Sequence, residues 1–211
     1  MWTIFTSIGD AAITVPVAAV CAGWLALVSP RLACQWIATL GAGMALVGVT
    51  KVLYAGWGLS MGAMDFRVIS GHTMLSTSVW MVAFALQLKW WRLPPAYGVL
   101  AGLAIGFLTG ISRVMDHSHS LSEVLAGWII GIIVAAVFLR VALNTDFARP
   151  RPVWSAASLI VVSTLAYGHT APIQYLIDVH SPAIHRHVPS ISALLGHIGF
   201  RAQAQEAAAT K

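Results

Sequence analysis

Charge is scarce in this chain. Only 9% of its 211 residues are charged, 12 Lys and Arg against 7 Asp and Glu, whereas soluble domains carry roughly one quarter. With 58% hydrophobic residues and a mean hydropathy of +0.81, that shortfall excludes an ordinary soluble domain and marks an integral membrane protein. Cysteine is scarce too. Cys21 and Cys34 lie in apolar segments and form no CxxC or Cys/His array, so they read as small buried hydrophobes rather than metal ligands. The formal charge of +5 has no basic cluster or stripe behind it, so nothing marks a nucleic-acid surface. Met1 to Asp10 lacks the basic n-region of a secretory signal, and no small-residue cleavage site follows, so the first apolar run is expected to stay in the mature protein. No internal repeat is present.

Long apolar runs are what the chain has instead. Six candidate spans follow one another: Ala11 to Val28, Leu32 to Thr50, His72 to Leu88, Ala96 to Gly110, Ser122 to Leu143 and a shorter Val153 to Gly168. A membrane helix needs about 20 apolar residues, so the sixth is marginal and could instead be a re-entrant or surface helix. The expected fold is an all-α polytopic transmembrane bundle over residues 1–168, with a polar, histidine-containing tail over 169–211. Gly41, Ala42 and Gly43 offer the second span a small surface for close packing in lipid. Lys51 is expected to end that span, and Val52 to Ile69 reads as an interfacial loop or short helix. With six spans, Arg31, Lys89, Arg92, Arg149 and Arg151, with Arg140 nearby, collect on one side, which the positive-inside rule makes cytoplasmic. Lys51, Arg67, Arg113 and both termini fall on the other side, the periplasmic or exterior face.

On that second side lies a polar island, Ile111 to Glu123, holding Arg113, Asp116, His117, His119 and Glu123 between apolar runs. Ionisable residues at the edge of hydrocarbon are expensive to hold and point to function. Each cluster also has an ordinary explanation. Arg113 could be a snorkelling interfacial arginine. Ser120-Leu-Ser-Glu123 matches a capping box, and Ser70-Gly71-His72 could be a plain helix start with a satisfied histidine. The functional readings are that the helix start at Ser70 offers N–H groups to an anion, and that the Arg113 fork suits phosphate oxygens. Further, His119 and Glu123, one helical turn apart, would touch and fix the imidazole tautomer. The histidines of the tail, His169, His180, His185, His187 and His197, read as scattered solvated residues.

These residues resemble the type 2 phosphatidic acid phosphatase superfamily, whose three motifs are Lys-x6-Arg-Pro, Pro-Ser-Gly-His and Ser-Arg-x5-His-x3-Asp. The third stands here as Ser112-Arg113, His119 and Glu123, and the second as Ile69-Ser70-Gly71-His72. The first is reduced to Lys51, since Gly58 and Leu59 occupy the places of its arginine and proline. The resemblance runs from Lys51 to Gly127. It implies hydrolysis of a lipid phosphate or pyrophosphate through a phosphohistidine, without metal or cofactor. His119 would be the nucleophile, Glu123 its orienting carboxylate and His72 the acid for the leaving oxygen. Lys51, Arg113, Ser70 and the Gly71 amide would bind phosphoryl oxygens; Arg67, three residues before Ser70, is a candidate to supply the missing arginine's contact from a new position. The expected partners are a membrane lipid substrate and the bilayer, in a bacterial inner membrane, and no oligomeric state is implied. Two rivals are a non-catalytic phospholipid-binding or transport protein, favoured by the eroded first motif, and a metal-dependent hydrolase built on Asp116, His117, His119 and His72.

Overall fold

In the computed structural model, residues 7–61, 65–145, 151–169 and 201–202 are described. They form six helices: α1 (Ala11–Val28), α2 (Pro30–Trp57), α3 (Gly71–Trp90), α4 (Pro95–Met115), α5 (Leu121–Asn144) and α6 (Pro152–Ala166). The remaining regular structure is a two-residue antiparallel pairing of β1 (Leu59–Ser60) with β2 (Arg201–Ala202). The protein is a helical membrane bundle. Four helices, α1, α2, α4 and α5, are both long and apolar enough to cross a bilayer, and α6 is apolar but shorter. Apart from Arg201 and Ala202, the tail expected beyond His169, with four of its five histidines, lies outside the described residues, as does Arg149.

Local chemistry sets the helix ends. Asp10 caps α1 by accepting the Ala12 N–H at 2.8 Å. Ser29 ends α1 and also caps α2, whose first turn holds Pro30, a residue that suits a helix start because its N–H would be unpaired there anyway. The helix α2 does not stop at Lys51. It continues to Trp57 and ends where Gly58 takes a left-handed conformation, φ 63°, its N–H donating to the Tyr54 carbonyl. The expected loop after Lys51 is therefore helical for almost two further turns, because Val52 to Trp57 holds no proline and its single Gly56 is tolerated within the helix. Similarly, α4 runs past Gly110 to Met115, carrying Ser112 and Arg113 on its last turn. The capping box at Ser120 is present in both directions.

Helix α3 is the axis of the bundle. It packs against α4, α5, α1 and α2; most of its residues are buried, including Thr73, Ser76, Thr77, Ser78 and Gln87. Its 20 residues rise about 30 Å, enough to span. It lacks the apolarity of its neighbours because they, rather than lipid, surround it; Thr77 and Ser78 donate to α3 carbonyls, Ser76 pairs with Thr109 of α4 and Thr73 with Ser70. The outward faces of the other helices carry Leu27, Ile37, Leu100, Ile133 and Leu165 exposed, while α3 contributes no exposed large hydrophobic residue.

Glycines bring α4 and α5 onto this axis. Gly98, Gly102, Gly106 and Gly110 recur every fourth residue of α4. A Cβ on Gly98 would lie 2.5 Å from the Phe84 backbone, and Cβ atoms on Gly102 and Gly106 would collide with Met81 and Thr77. On α5, Gly127 and Gly131 approach the Ser70 and Met74 carbonyls just as closely. Small residues let helix backbones touch in lipid, where packing replaces the hydrophobic drive. The small surface expected on α2 is only partly used. Gly43 packs against Val134 and Met74, whereas Gly41 has open space around its Cα and faces outward with Ala42.

Helix α6 is held by polar contacts. Trp24 of α1 donates to Ser158 at 2.9 Å, and Gln87 of α3 both donates to the Pro152 carbonyl and accepts from Ser155, each at 2.8 Å. At the same end Lys89 donates to the carbonyls of Ala142, Leu143 and Thr145. It thus caps the C-terminus of α5, where a cation is favoured. Introducing a side chain on the α4 stripe should separate the helices: Gly102→Leu should cost about 3 kcal/mol and lower the thermal midpoint in detergent. Gly41→Leu should leave the midpoint unchanged, and equal effects of the two would contradict this packing.

Candidate active site

Five chain segments converge at one end of the bundle: the head of α1, the last turns of α2, the loop before α3, the head of α3, and the α4–α5 turn. Between them lies a cavity of about 520 Å³ lined by Lys51, Tyr54, Ala55, Arg67, Val68, His72, Arg113, Ser118, His119 and Glu123, within the range usual for small-ligand sites. Three cations and two imidazoles therefore share one concavity. Six of the eight residues expected at the site line it: Lys51, Arg67, His72, Arg113, His119 and Glu123. Ser70 and Gly71 do not.

The α4–α5 turn is built around one carbonyl. The N–H groups of Ser118 and His119 both donate to the Arg113 oxygen, at 3.1 and 3.3 Å, which folds the chain back on the last turn of α4. His117 takes the left-handed conformation, φ 52°, and is exposed with Asp116. His119 is turned inward, its side chain 10% exposed. Among the described residues, no three His, Cys, Asp or Glu side chains gather in a metal-binding group.

Glu123 is fully buried, and its two oxygens accept five hydrogen bonds. Oε2 accepts from His119 Nδ1 at 2.6 Å and from the Ser120 N–H at 3.3 Å. Oε1 accepts from the Arg67 N–H at 2.9 Å, Arg67 Nε at 3.3 Å and the Val68 N–H at 3.3 Å. The Glu123 carbonyl also takes the Ser70 N–H. A carboxylate can only accept, so His119 carries its proton on Nδ1 and presents Nε2 as the free nitrogen. Burial pushes the His119 pKa below its ordinary value. Glu123 opposes that shift through its hydrogen bond and charge, while Arg113 and Lys51 reinforce it. The neutral imidazole is thus favoured.

Arg67 and Arg113 differ in their ties. Arg67 is half-exposed and its pKa is raised: burial works against its charge, but Glu123, then Tyr54, outweigh it. Among the described residues the buried Nε of Arg113 has no hydrogen-bond partner, an arrangement that calls for an acceptor. Ser70, fully buried, caps no N–H with its side chain; its hydroxyl pairs with Thr73 at 2.9 Å. It joins the start of α3 to that of α5. At the position of the first-motif arginine stands Gly58, whose left-handed conformation ends α2 and would strain a larger side chain.

Two cavity neighbours escaped the sequence reading. Tyr54 is one turn beyond Lys51 and would have been found had α2 been carried past the lysine. Asp10 meets His72 Nε2 at 3.2 Å; its signal was a lone carboxylate heading the first apolar run on the site's side of the bundle. Beside the site, between α4 and α5, runs an apolar groove of about 220 Å³ walled by Phe107, Ile111, Met115, Leu125 and Trp128.

Residues 32–147 match the family model of the PAP2 superfamily. An uncharacterized 22.5 kDa protein in the cps region of Klebsiella pneumoniae is 30% identical over 196 residues, covering 87% of this chain and 91% of that one. A PA-phosphatase related-family protein of Dictyostelium discoideum is 44% identical over 54 residues, 25% of this chain and 16% of its own length. No solved structure matches.

The His119–Glu123 contact makes a titration testable. By NMR the His119 ring should protonate below the ordinary histidine value of about 6.5. In Glu123→Gln the midpoint should fall further, since the charge that raises it is lost and the hydrogen bond passes to a neutral acceptor. A midpoint above the ordinary value, or one that rises on substitution, would contradict the burial and pairing described.

Proposed function

The chain belongs to the PAP2 superfamily, and from that membership we propose that it is a membrane phosphatase acting on a lipid phosphate or lipid pyrophosphate through a phosphohistidine on His119. The observation that carries this reading is the composition of one cavity: Lys51, Arg67 and Arg113 surround two imidazoles, one of them bonded to a buried carboxylate.

In this mechanism Glu123 holds the Nδ1 proton of His119, and Nε2 attacks phosphorus. Phosphoryl transfer needs little beyond positioning and compensation of developing negative charge. Lys51 and Arg113 bind the equatorial oxygens, with the unpaired Arg113 Nε as a ready donor. Arg67 lends its outer guanidinium nitrogens to the same oxygens while its Nε steadies Glu123, in place of the arginine lost at Gly58. His72 protonates the leaving oxygen and then takes a proton from the water that attacks the phosphohistidine. Ser70 serves by fixing the start of α3 to α5 through its N–H on the Glu123 carbonyl.

The apolar groove beside the phosphate cavity supports a substrate whose tail remains in the bilayer. Undecaprenyl pyrophosphate, phosphatidylglycerol phosphate, phosphatidic acid and lipid A phosphates all fit this description. The distribution of Lys and Arg supports a site on the periplasmic or exterior face of a bacterial inner membrane. A second reading, a phospholipid binder without catalysis, is favoured by Gly58 in the place of the arginine.

A panel of lipid phosphates in detergent distinguishes these readings. Wild type should release phosphate in EDTA and be blocked by vanadate. His119→Ala should abolish release, and His72→Ala should slow it by about 10²–10⁴-fold, the usual worth of a general acid. Arg67→Ala should weaken both turnover and vanadate inhibition. Phosphate release that EDTA stops and a divalent cation restores would replace this mechanism with a metal-dependent one. No release from any member of the panel would favour the binder.

A further inference from the structure

The mechanism above leaves Asp10 unused, although the fold holds it firmly. Its Oδ1 caps α1 through the Ala12 N–H at 2.8 Å, and its Oδ2 meets His72 Nε2 at 3.2 Å. The backbone around it is pinned to the bundle axis. Trp80 of α3 donates its indole N–H to the Ile8 carbonyl at 3.2 Å. A Cβ on Gly9 would collide with Thr109 of α4 and lie 3.3 Å from the His72 carbonyl. The stretch Ile8 to Asp10 is therefore wedged against α3 and α4, and the Asp10 side chain is only 14% exposed. His72 lines the cavity and Asp10 does not, so the carboxylate stands behind the imidazole.

We propose that Asp10 is a positioning residue for His72, orienting the ring that protonates the leaving oxygen; this rests on the phosphatase reading above. Since a carboxylate accepts, Nε2 keeps its proton toward Asp10, and Nδ1 is the nitrogen left to serve the substrate. In the first step His119 Nε2 forms a bond to phosphorus while the bond from phosphorus to the leaving oxygen breaks. That oxygen keeps the electron pair and takes the Nδ1 proton of protonated His72. The ring remains neutral, still donating from Nε2 to Asp10. In the second step water supplies hydroxide to phosphorus and its proton to Nδ1, and the phosphorus–nitrogen pair returns to His119. Asp10 touches no reacting atom in either step. It removes the ring flips and the alternative tautomer that would aim the wrong nitrogen at the substrate.

The two oxygens make the idea separable from stability. Asn and Ser cap helices about as well as Asp, so Asp10→Asn and Asp10→Ser keep the α1 cap while removing the charge from His72. Both variants are compared with wild type on phosphatidic acid, whose alkoxide leaving group needs a proton, and on p-nitrophenyl phosphate, whose leaving group needs little help. Both should melt with wild type, and because kcat/KM reports only the steps up to loss of the leaving group, it should fall about 10–10²-fold on phosphatidic acid, a part of what a general acid contributes. On p-nitrophenyl phosphate kcat/KM should stay within about threefold, and neither variant should lower it further on a His72→Ala background. Equal slowing of both substrates, slowing of neither, or further loss on the His72→Ala background would overturn the role of Asp10 and leave the phosphatase standing. Absence of phosphate release from wild type would remove both.

Discussion

A carboxylate with no exposed surface must find donors for both oxygens, or its burial costs several kcal/mol. The way Glu123 meets that constraint decides how this end of the bundle is assembled. One oxygen gathers the loop before α3 through the Arg67 and Val68 N–H groups and the Arg67 side chain. The other closes the capping box of α5 and takes the His119 ring. The Glu123 carbonyl adds the Ser70 N–H, one residue before α3 begins. A residue that would be an ordinary helix cap thereby joins two helix starts, a loop and an imidazole. The capping role and the role toward His119 share one oxygen, Oε2, which accepts from the Ser120 N–H and from His119 Nδ1.

The rest of the bundle makes such a tight junction possible. Glycines on α4 and α5 let both helices lie directly on α3, so the end of α4 and the start of α5 reach the head of α3 without intervening side chains. Because α3 is enclosed by protein, it can carry serines and threonines and open onto the cavity with His72. The helices around it keep their apolar faces outward. Lipid-facing and site-facing demands fall on different helices, which is how a chain with so little charge can concentrate several ionisable groups in one place.

Much of this was legible in the residues. The apolar runs located each of the six described helices, with the ends of α2 and α4 read seven and five residues too early, and the one-turn spacing anticipated the contact of His119 with Glu123. The contact survives although α5 starts two residues after His119, because Ser120 as the cap still leaves the two side chains a turn apart. Helix ends were read less well where a polar residue stood inside a helix. Lys51 and Arg113 look like stops to a hydropathy reading, yet nothing at either position breaks a helix, and Gly58 or the left-handed His117 does so instead. Asp10 was invisible for a different reason, since a single carboxylate before a long apolar run carries no spacing to any partner. Its meaning comes from the folded wedge of Ile8 to Asp10 against α3.

The central claim is that Glu123 makes His119 the nucleophile. Its most direct test is to mix wild-type protein and Glu123→Gln with excess lipid phosphate, quench in alkali within one turnover, and locate the phosphoryl group by peptide mass spectrometry. An adduct on His119 should form and decay at rates consistent with turnover in wild type and stay at trace level in Glu123→Gln. An adduct on another residue, or equal amounts of it in the two proteins, would contradict that claim.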